Sequence, residues 1–326
     1  ISKIVQGSQG LVPGLPLLGR IGRQDFIAMI DQALRAYERE FKSMDIHLID
    51  EILDLVAYTE RTLSQPGANL LLAGRSGTGR KAATQLVAHL LNMEFFSPSI
   101  SRDYAMKEFK RDLKEVLLKA GVEATRTCLF IEDHQLLQDE FLEYLNSLIS
   151  AGEVPGLYSP EELEPVLAQL KDEMSSQYEY KTTFELFVSR IKKNLSIVMS
   201  LDYTHPKFVQ NCASNPALFS QCSIIWCEGW TKDALLTVAK NELEDVGSQI
   251  GKPFDHIISS ILVLHNSAQS LGASPLAFMN LIHLFKQIFN KIVQTSGGQS
   301  KHLLAGLDKL EEARTTVDVL SREAGE

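Results

Sequence analysis

The stretch that decides the fold of this chain is Leu70-Leu71-Leu72-Ala73-Gly74-Arg75-Ser76-Gly77-Thr78-Gly79-Arg80-Lys81. Its first four residues form a continuous apolar run, which is typical of a strand buried on both faces of a sheet. Glycines at positions 74, 77 and 79 then mark a tight turn, and a helical pattern follows the turn. The stretch therefore predicts a buried strand, a glycine-rich turn and the start of a helix.

Further short apolar runs alternate with helical segments along the chain. Amphipathic patterns such as Phe109–Ala120 and Phe141–Ser150 predict the helices between the runs. Because strands that alternate with helices form βαβ units, we expect an α/β fold with a parallel five-stranded sheet flanked by helices. The other four predicted strands are Phe95-Phe96, Cys128–Ile131, Ile197–Leu201 and Ile224–Cys227.

The pattern divides the chain into four consecutive parts. A weakly patterned segment with glycine and proline, residues 1–24, precedes a helical period that ends at Gln65-Pro66-Gly67. The pattern becomes all-helical after Trp230 and is interrupted at Ser296-Gly297-Gly298. We predict a connector with leading helices at 1–67, a large α/β domain at 68–228, a small helical domain at 229–293 and a coiled-coil start at 294–326.

The coiled-coil prediction depends on apolar residues among charges near the end of the chain. They lie 3, 4 or 7 positions apart at Leu303, Leu307, Leu310, Val317 and Leu320. The alternative interpretation is one more amphipathic helix of the small helical domain. The sequence begins at Ile1 and stops at Glu326 within this pattern, which favours a piece of a longer polypeptide.

Composition limits the classes of partner. The chain has 326 residues, enough for about two domains, and a formal net charge of −9. An acidic chain binds nucleic acid and membrane surfaces poorly. We recognise no signal-peptide pattern in the sequence and no apolar run of the roughly 18–20 residues that span a bilayer. We expect no nucleic-acid partner and no membrane insertion. The cysteines (Cys128, Cys212, Cys222 and Cys227) form no C-x-x-C pair, which favours reduced thiols in an intracellular protein over zinc or disulfides.

The turn after the first strand is close to the phosphate-binding pattern G-x-x-x-x-G-K-[ST]. Gly74 and Gly79 match, and with Gly77 and Thr78 they would let backbone amides and the helix N-terminus contact the phosphates of ADP or ATP. Arg80 replaces the usual lysine and keeps its charge, so with these amides it would hold the β-phosphate. Lys81, also predicted to bind the nucleotide, replaces the hydroxyl residue that ligates Mg²⁺, a role that lysine cannot take. We predict that ADP or ATP binds at this turn, with or without Mg²⁺. The alternative is an ordinary strand–turn–helix corner that binds no nucleotide.

Two acids end the third predicted strand, at Glu132 and Asp133. In a Walker-B strand the first acid assists Mg²⁺ and the second orients the attacking water. The usual order, Asp then Glu, is reversed here, so Asp133 is too short for the catalytic position, and small displacements cost large factors in rate. Glu132 is the predicted metal ligand, if a metal binds at all. The alternative is a solvated acidic pair at the end of a strand.

Taken together, these features resemble an AAA+ P-loop module, and more narrowly the motor of dynein heavy chains. The resemblance covers essentially the whole chain. The sequence motifs resemble those of the fourth of the six AAA+ modules in a dynein motor, the module whose helical lid leads into the microtubule-binding stalk. The unusual P-loop and the reversed acids resemble the cytoplasmic dynein heavy chains of retrograde intraflagellar transport. The segments that carry the resemblance are Ile49–Asp54, Gln65-Pro66, Ser97–Arg102, Phe141–Glu143, Ser150–Tyr158, Asn215–Phe219, Gly229-Trp230 and Ser274-Pro275.

The resemblance also assigns roles to further positions. It places Ile46 and His47 near the nucleotide base and Asp202 at the sensor-1 position, where Asn is usual. Gln221 occupies the arginine-finger position, which would serve the neighbouring module, and Leu276 occupies the sensor-2 arginine position. All of these departures act against ATP turnover.

Three functional hypotheses follow from the resemblance. In the first, the module binds ADP or ATP as a structural or regulatory ligand, hydrolyses it slowly or not at all, and couples the motor ring to the stalk. The alternatives are a hydrolytically active regulatory ATPase module and a structural module without nucleotide. The implied partners are neighbouring AAA+ modules of the same heavy chain, the microtubule through the stalk, and dynein accessory chains with intraflagellar transport complexes. The implied location is the cytoplasm and cytoskeleton, in a cilium or flagellum.

Overall fold

A computed structural model of the chain describes residues 21–44, 46–171, 180–251 and 253–323. Within these ranges the side chains of residues 297–298, 300–302 and 318–323 are not described. Most of the predicted connector, residues 1–20, therefore lies outside the described residues, as does the side chain of Leu320.

All five predicted strands are present, and they form one parallel sheet in the order β2-β3-β4-β1-β5. The insertion of β4 between β1 and β3 brings the carboxyl ends of these three strands together, and ligands of open α/β sheets bind at such edges. The strands are β1 (Asn69–Gly74), β2 (Glu94–Phe96), β3 (Thr127–Glu132), β4 (Leu195–Leu201) and β5 (Cys222–Cys227).

Helices cover both faces of the sheet, as expected for strands that are apolar on both sides. On one face, α4 and α5 share the main core, where the rings of Phe109 and Phe141 stack with centroids 4.1 Å apart. Beside the sheet, α2 packs along α3 and contacts β1 and β5. These helices are α1 (Arg23–Glu40), α2 (Asp50–Leu63), α3 (Arg80–Leu90), α4 (Met106–Gly121), α5 (Asp139–Ala151), α6 (Pro160–Ala168), α7 (Thr183–Asn194), α8 (Phe208–Ser214) and α9 (Ala217–Ser220).

The described residues that follow β5 are mainly helical, as the sequence predicts. One compact unit ends at Ala234 and a second begins at Leu235. The second unit has its own apolar core, with Ile258, Phe278 and Ile282 fully buried. The division between the units falls within α10 (Lys232–Glu242). The later helices are α11 (Glu244–Ile250), α12 (Phe254–Ala268) and α13 (Pro275–Glu323).

The predicted break at Ser296-Gly297-Gly298 is wrong. Helix α13 runs through it as one 49-residue helix. Each glycine in a helix interior costs only about 1 kcal/mol relative to alanine, and long helical segments on both sides outweigh that cost. The proposed boundary between residues 293 and 294 stays a prediction.

Two further expectations concern the whole chain. Throughout the described ranges, no helix combines the length and the apolar character that crossing a bilayer requires. The four cysteines are free thiols, and burial raises the pKa of Cys128 to about 12. These thiols are therefore packing residues rather than parts of a disulfide framework.

Candidate functional site

The glycine turn after β1 is a left-handed loop that only glycine adopts easily. Gly77 and Gly79 have φ angles of 84° and 79°, and α3 begins at the next residue. The first bond of the α3 ladder runs from the Ala83 amide to the Gly79 carbonyl, at 2.9 Å. The amides of the preceding turn have no carbonyl acceptor within the helix, which is the usual arrangement of a phosphate cradle.

Close neighbours hold the loop in place. A Cβ atom on Gly74 would lie 2.6 Å from the Cys227 carbonyl oxygen, and one on Gly79 would lie 2.3 Å from Cδ1 of Ile52. The buried hydroxyl of Thr78 donates to the Arg75 carbonyl at 3.0 Å. The Nε atom of Arg75 is buried without a hydrogen-bond partner in the described part of the chain. The cradle shape and this unpaired donor fit a bound phosphate.

The side chain of Arg80 is bonded to the main chain. Its guanidinium donates to the carbonyl of Leu201 at 2.8 Å, to that of Leu72 at 3.1 Å and to that of Arg75 at 3.3 Å. Burial lowers the pKa of Arg80, and the charges of Cys227, Asp133, Asp202 and Glu132 oppose that shift. Of the five N–H donors on a guanidinium, Arg80 therefore directs three to the ends of β1 and β4 and to the loop.

Lys81 and Glu132 form an ion pair across the site. Lys81 Nζ lies 3.0 Å from Glu132 Oε2, and the two side chains are 48% and 25% exposed. These are the two positions from which a P-loop module ligates Mg²⁺. The residues do not fit the metal, because an ammonium has no lone pair to donate and it already holds the acid. Among the described residues, no group of three or more His, Cys, Asp or Glu is placed to hold a metal ion.

The other two predicted catalytic acids are engaged with the main chain. The Asp133 carboxylate accepts a hydrogen bond from the Asp202 amide. Burial raises the pKa of Asp133, while this bond and the Arg80 charge oppose the shift. The Asp202 carboxylate accepts bonds from Thr204, at 2.9 Å from the amide and 2.6 Å from the hydroxyl. The sheet thus brings the predicted acids together, and both carboxylates bind nearby loop backbone.

Gln135 is a site residue that the sequence reasoning did not identify. Its side chain is buried; it accepts from the Glu132 amide at 2.7 Å and donates to Ser97 Oγ at 3.0 Å and the Pro98 carbonyl at 2.6 Å. Gln135 therefore fixes the end of β3 against the loop after β2. The sequence pattern that could have identified Gln135 is a capping box: Gln135 lies three residues after Glu132, which caps the short helical turn Asp133–Gln135.

The residues predicted near the base lie beside Trp230. The rings of His47 and Trp230 meet edge to face with centroids 6.3 Å apart, and Ile46 is half-buried one residue earlier. Glu51 and Trp230 line a cavity together with Thr78. Within the described residues, Glu51 Oε2 and Trp230 Nε1 are buried without a hydrogen-bond partner. This cavity offers one acceptor and one donor close to the glycine loop.

The family follows from comparison with known proteins. A family model described as "P-loop containing dynein motor region D4" matches residues 44–288. The chain belongs to this dynein family. The predicted α/β AAA+ fold and the predicted fourth region of the dynein motor are confirmed. The helical lid and the start of the stalk stay predictions.

Several relatives at about 40% identity are dynein 2 heavy chains. The chain is 40% identical to "Cytoplasmic dynein 2 heavy chain 1" of Tripneustes gratilla over 96% of its length. It is 39% identical to the protein of that name from Homo sapiens over 96% of its length, and 40% identical to that from Chlamydomonas reinhardtii over 92%. The chain spans only 8%, 8% and 7% of these three relatives. It is a dynein motor module homologous to one part of the dynein 2 heavy chains.

Two further positions assigned from the dynein resemblance, Gln221 and Leu276, belong to different compact units of the chain. Gln221 directly precedes β5, at the end of the strand where Cys222 pairs with Asn69. The loop follows the opposite end, where Gly74 pairs with Cys227. Gln221 is therefore not part of this dynein module's own site. Leu276 is the second residue of α13 and is 46% exposed.

Proposed function

We propose that this dynein module binds ADP or ATP as a structural or regulatory ligand, with impaired hydrolysis, and couples the motor ring to the microtubule-binding stalk. The observation that carries the proposal is the contrast between the two halves of the site. The glycine loop keeps the shape of a phosphate cradle, whereas the groups expected to act on the nucleotide are bonded to one another or to main chain.

Nucleotide binding is supported at both ends of the site. Gly77 and Gly79 hold the loop that would surround the β-phosphate. Gly74 packs against Cys227 where the loop starts, and the Thr78 hydroxyl is bonded to a carbonyl within it. The cavity beside Trp230 would accept the base, with Ile46 and His47 nearby. A ligand that binds only the folded chain stabilises it by mass action, and this is the role we assign to the nucleotide.

Impaired hydrolysis is supported by the placement of the acids. The second acid, Asp133, is one methylene shorter than the usual glutamate and is bonded to the Asp202 amide, so it is a poor group to orient a water molecule. An acid such as Asp202 beside a γ-phosphate repels it unless a cation intervenes. Arg80 directs most of its donors to carbonyl groups.

The link to the stalk is supported by α13. This helix continues well past the buried Phe278 and Ile282, and many of the described apolar side chains beyond them are exposed. Leu303, Leu307 and Leu310 are 71%, 61% and 68% exposed. Apolar residues at such spacing on a long helix need a partner helix, as in the first strand of a coiled coil.

The proposal extends to the protein of which such a module would be part. We propose that its partners are other AAA+ modules of the same heavy chain and the microtubule, together with dynein accessory chains and intraflagellar transport complexes. We propose that it acts in the cytoplasm on the cytoskeleton of a cilium or flagellum. The dynein 2 names of the relatives support this assignment.

Isothermal titration of this chain with ADP and with ATP tests nucleotide binding. Gly77→Val would force a β-branched residue into a left-handed loop position and should abolish the heat of binding. Gly156→Val is the matched control, because Gly156 has a φ of 73° and no atom within 4 Å of the added Cβ. Absence of heat for the unaltered chain at millimolar nucleotide, or equal loss in both variants, would refute the proposal.

The active-ATPase alternative is tested in the full motor. Asp133→Asn removes the second acid while keeping an acceptor for the Asp202 amide. We expect no change in basal or microtubule-stimulated ATP turnover. A clear fall in either rate would favour the alternative.

A further inference from the structure

We propose that the ammonium group of Lys81, held by the carboxylate of Glu132, takes the place of Mg²⁺ at this phosphate site. The module would then bind a nucleoside diphosphate or triphosphate without a divalent metal. This inference rests on the proposed nucleotide binding and adds to it the identity of the positive charge that faces the phosphates.

The geometry places a cation where the metal would be held. In a working P-loop module, Mg²⁺ is bound by the hydroxyl after the P-loop lysine and by the acid that ends the Walker-B strand. Here those two positions are Lys81 and Glu132, and they hold each other at 3.0 Å. An ammonium carries three donors, and Glu132 takes one of them. The remaining N–H groups can be offered to phosphate oxygens.

The exposure of the two side chains allows this role. Lys81 is 48% exposed and Glu132 is 25% exposed, so a ligand can approach the ammonium while the carboxylate stays partly sheltered. A divalent ion at the same place would be repelled by the ammonium and would have to displace it from Glu132. Since Arg80 donates to three carbonyl groups, Lys81 is, of the two cations that end the motif, the one left to face the phosphates.

The reversed order of the acids is explained by the same pair. Glutamate at the first acid position is one methylene longer than the usual aspartate, and this length carries its carboxylate to Lys81. Gln135 supports the arrangement, because its buried side chain accepts from the Glu132 amide and fixes the end of β3. The reversed order therefore allows the Lys81–Glu132 ion pair, in addition to placing the shorter Asp133 at the catalytic position.

The test compares ADP binding with excess Mg²⁺ and with EDTA, by isothermal titration of the chain and of two variants. The unaltered chain should bind equally in both buffers. Lys81→Thr removes the ammonium and supplies a hydroxyl, so its affinity should fall about tenfold or more in EDTA and recover with Mg²⁺. Lys107→Thr, which changes an exposed lysine outside the motif, should behave as the unaltered chain does.

A second readout follows the metal itself. Electron paramagnetic resonance of Mn²⁺ added to the ADP-saturated protein should show no bound ion for the unaltered chain and a bound ion for Lys81→Thr. Melting curves of both variants establish that they are folded, as expected for half-exposed and exposed positions.

The outcomes separate this inference from the proposal on which it rests. ADP binding by the unaltered chain that weakens about tenfold in EDTA would overturn the metal replacement and leave nucleotide binding intact. Metal-independent binding by Lys81→Thr would also overturn it, since the lysine would then be irrelevant. Absence of ADP binding in both buffers would overturn nucleotide binding and, with it, this inference.

Discussion

Replacing Arg80 with methionine tests whether this residue ties the glycine loop to the sheet. The guanidinium donates to the carbonyls of Leu72 and Leu201, at the ends of β1 and β4, and to the carbonyl of Arg75 within the loop. Leu72 and Leu201 are 0% and 1% exposed, so water cannot readily replace the lost donor. Methionine keeps an apolar stem of similar reach and removes every donor.

The magnitude follows from the three bonds. A hydrogen bond to a charged group contributes about 1.5–3 kcal/mol. The bond to Arg75 is long at 3.3 Å, and the loss of bonds that share one side chain is less than additive. We therefore expect Arg80→Met to lower the free energy of unfolding by about 2–4 kcal/mol. In a unit of this size that corresponds to a fall in melting temperature of roughly 5–15 °C.

Thermal unfolding followed by circular dichroism, without nucleotide, measures the effect. The control is Arg35→Met, because Arg35 is 72% exposed and makes a single ion pair with Asp31. Loss of such a surface pair costs at most about 1 kcal/mol. Equal melting temperatures for the Arg80→Met and Arg35→Met proteins would refute the structural role of Arg80.

Three further predictions concern buried polar groups. Gln135→Ala leaves two main-chain groups unpaired and should cost about 2–4 kcal/mol in urea unfolding; a loss no larger than that of Gln169→Ala, at an exposed position, would contradict this. Burial raises the pKa of Asp133 above 3.8, so the folded chain holds the Asp133 proton more tightly than the unfolded chain. The stability that this proton gives is present at low pH and is lost as the pH rises through the raised pKa. The Asp133→Asn protein should gain melting temperature over the unaltered chain from about pH 4 to about pH 7, and lower stability throughout would contradict this. Burial beside Phe278 lowers the pKa of His265 below 6.5, so its contribution is lost as pH falls. The hydrogen-exchange protection of α12, corrected for the intrinsic exchange rate at each pH, should fall on acidification in the unaltered chain and fall less in a His265→Leu variant, and equal responses would count against burial as the cause.

The local features of the fold could be predicted from the sequence. Each strand appears as a short apolar run, since a strand covered on both faces needs apolar side chains at successive positions. The glycine loop could also be predicted, because Gly74 and Gly79 have the spacing of a phosphate-binding loop and lie directly after β1. Gly297 and Gly298 misled the prediction, since the same residue type that ends many helices is tolerated inside a long one at modest cost.

The contacts within the site could not be predicted in the same way. The sequence does not reveal that β4 lies between β1 and β3, and this order is what puts the Leu201 carbonyl within reach of Arg80. The pair of Lys81 and Glu132 likewise joins residues that are 51 positions apart. Motif comparison reads each departure as a loss at one position, whereas the structure shows what each replacement side chain contacts.

These contacts favour one connected change in the site over several independent losses. A lysine at position 81 removes a metal ligand and also brings a charge that needs a partner, which the longer acid at position 132 supplies. Aspartate at position 133 then lies at the second position, where it accepts from the amide that follows β4. Arginine at position 80 can turn to the carbonyl groups because Lys81 is available to the phosphates. Restoring lysine at position 80 or aspartate at position 132 alone would therefore break a contact of this site without rebuilding the metal-dependent one, whereas a hydroxyl at position 81 would release Glu132 for a metal ion.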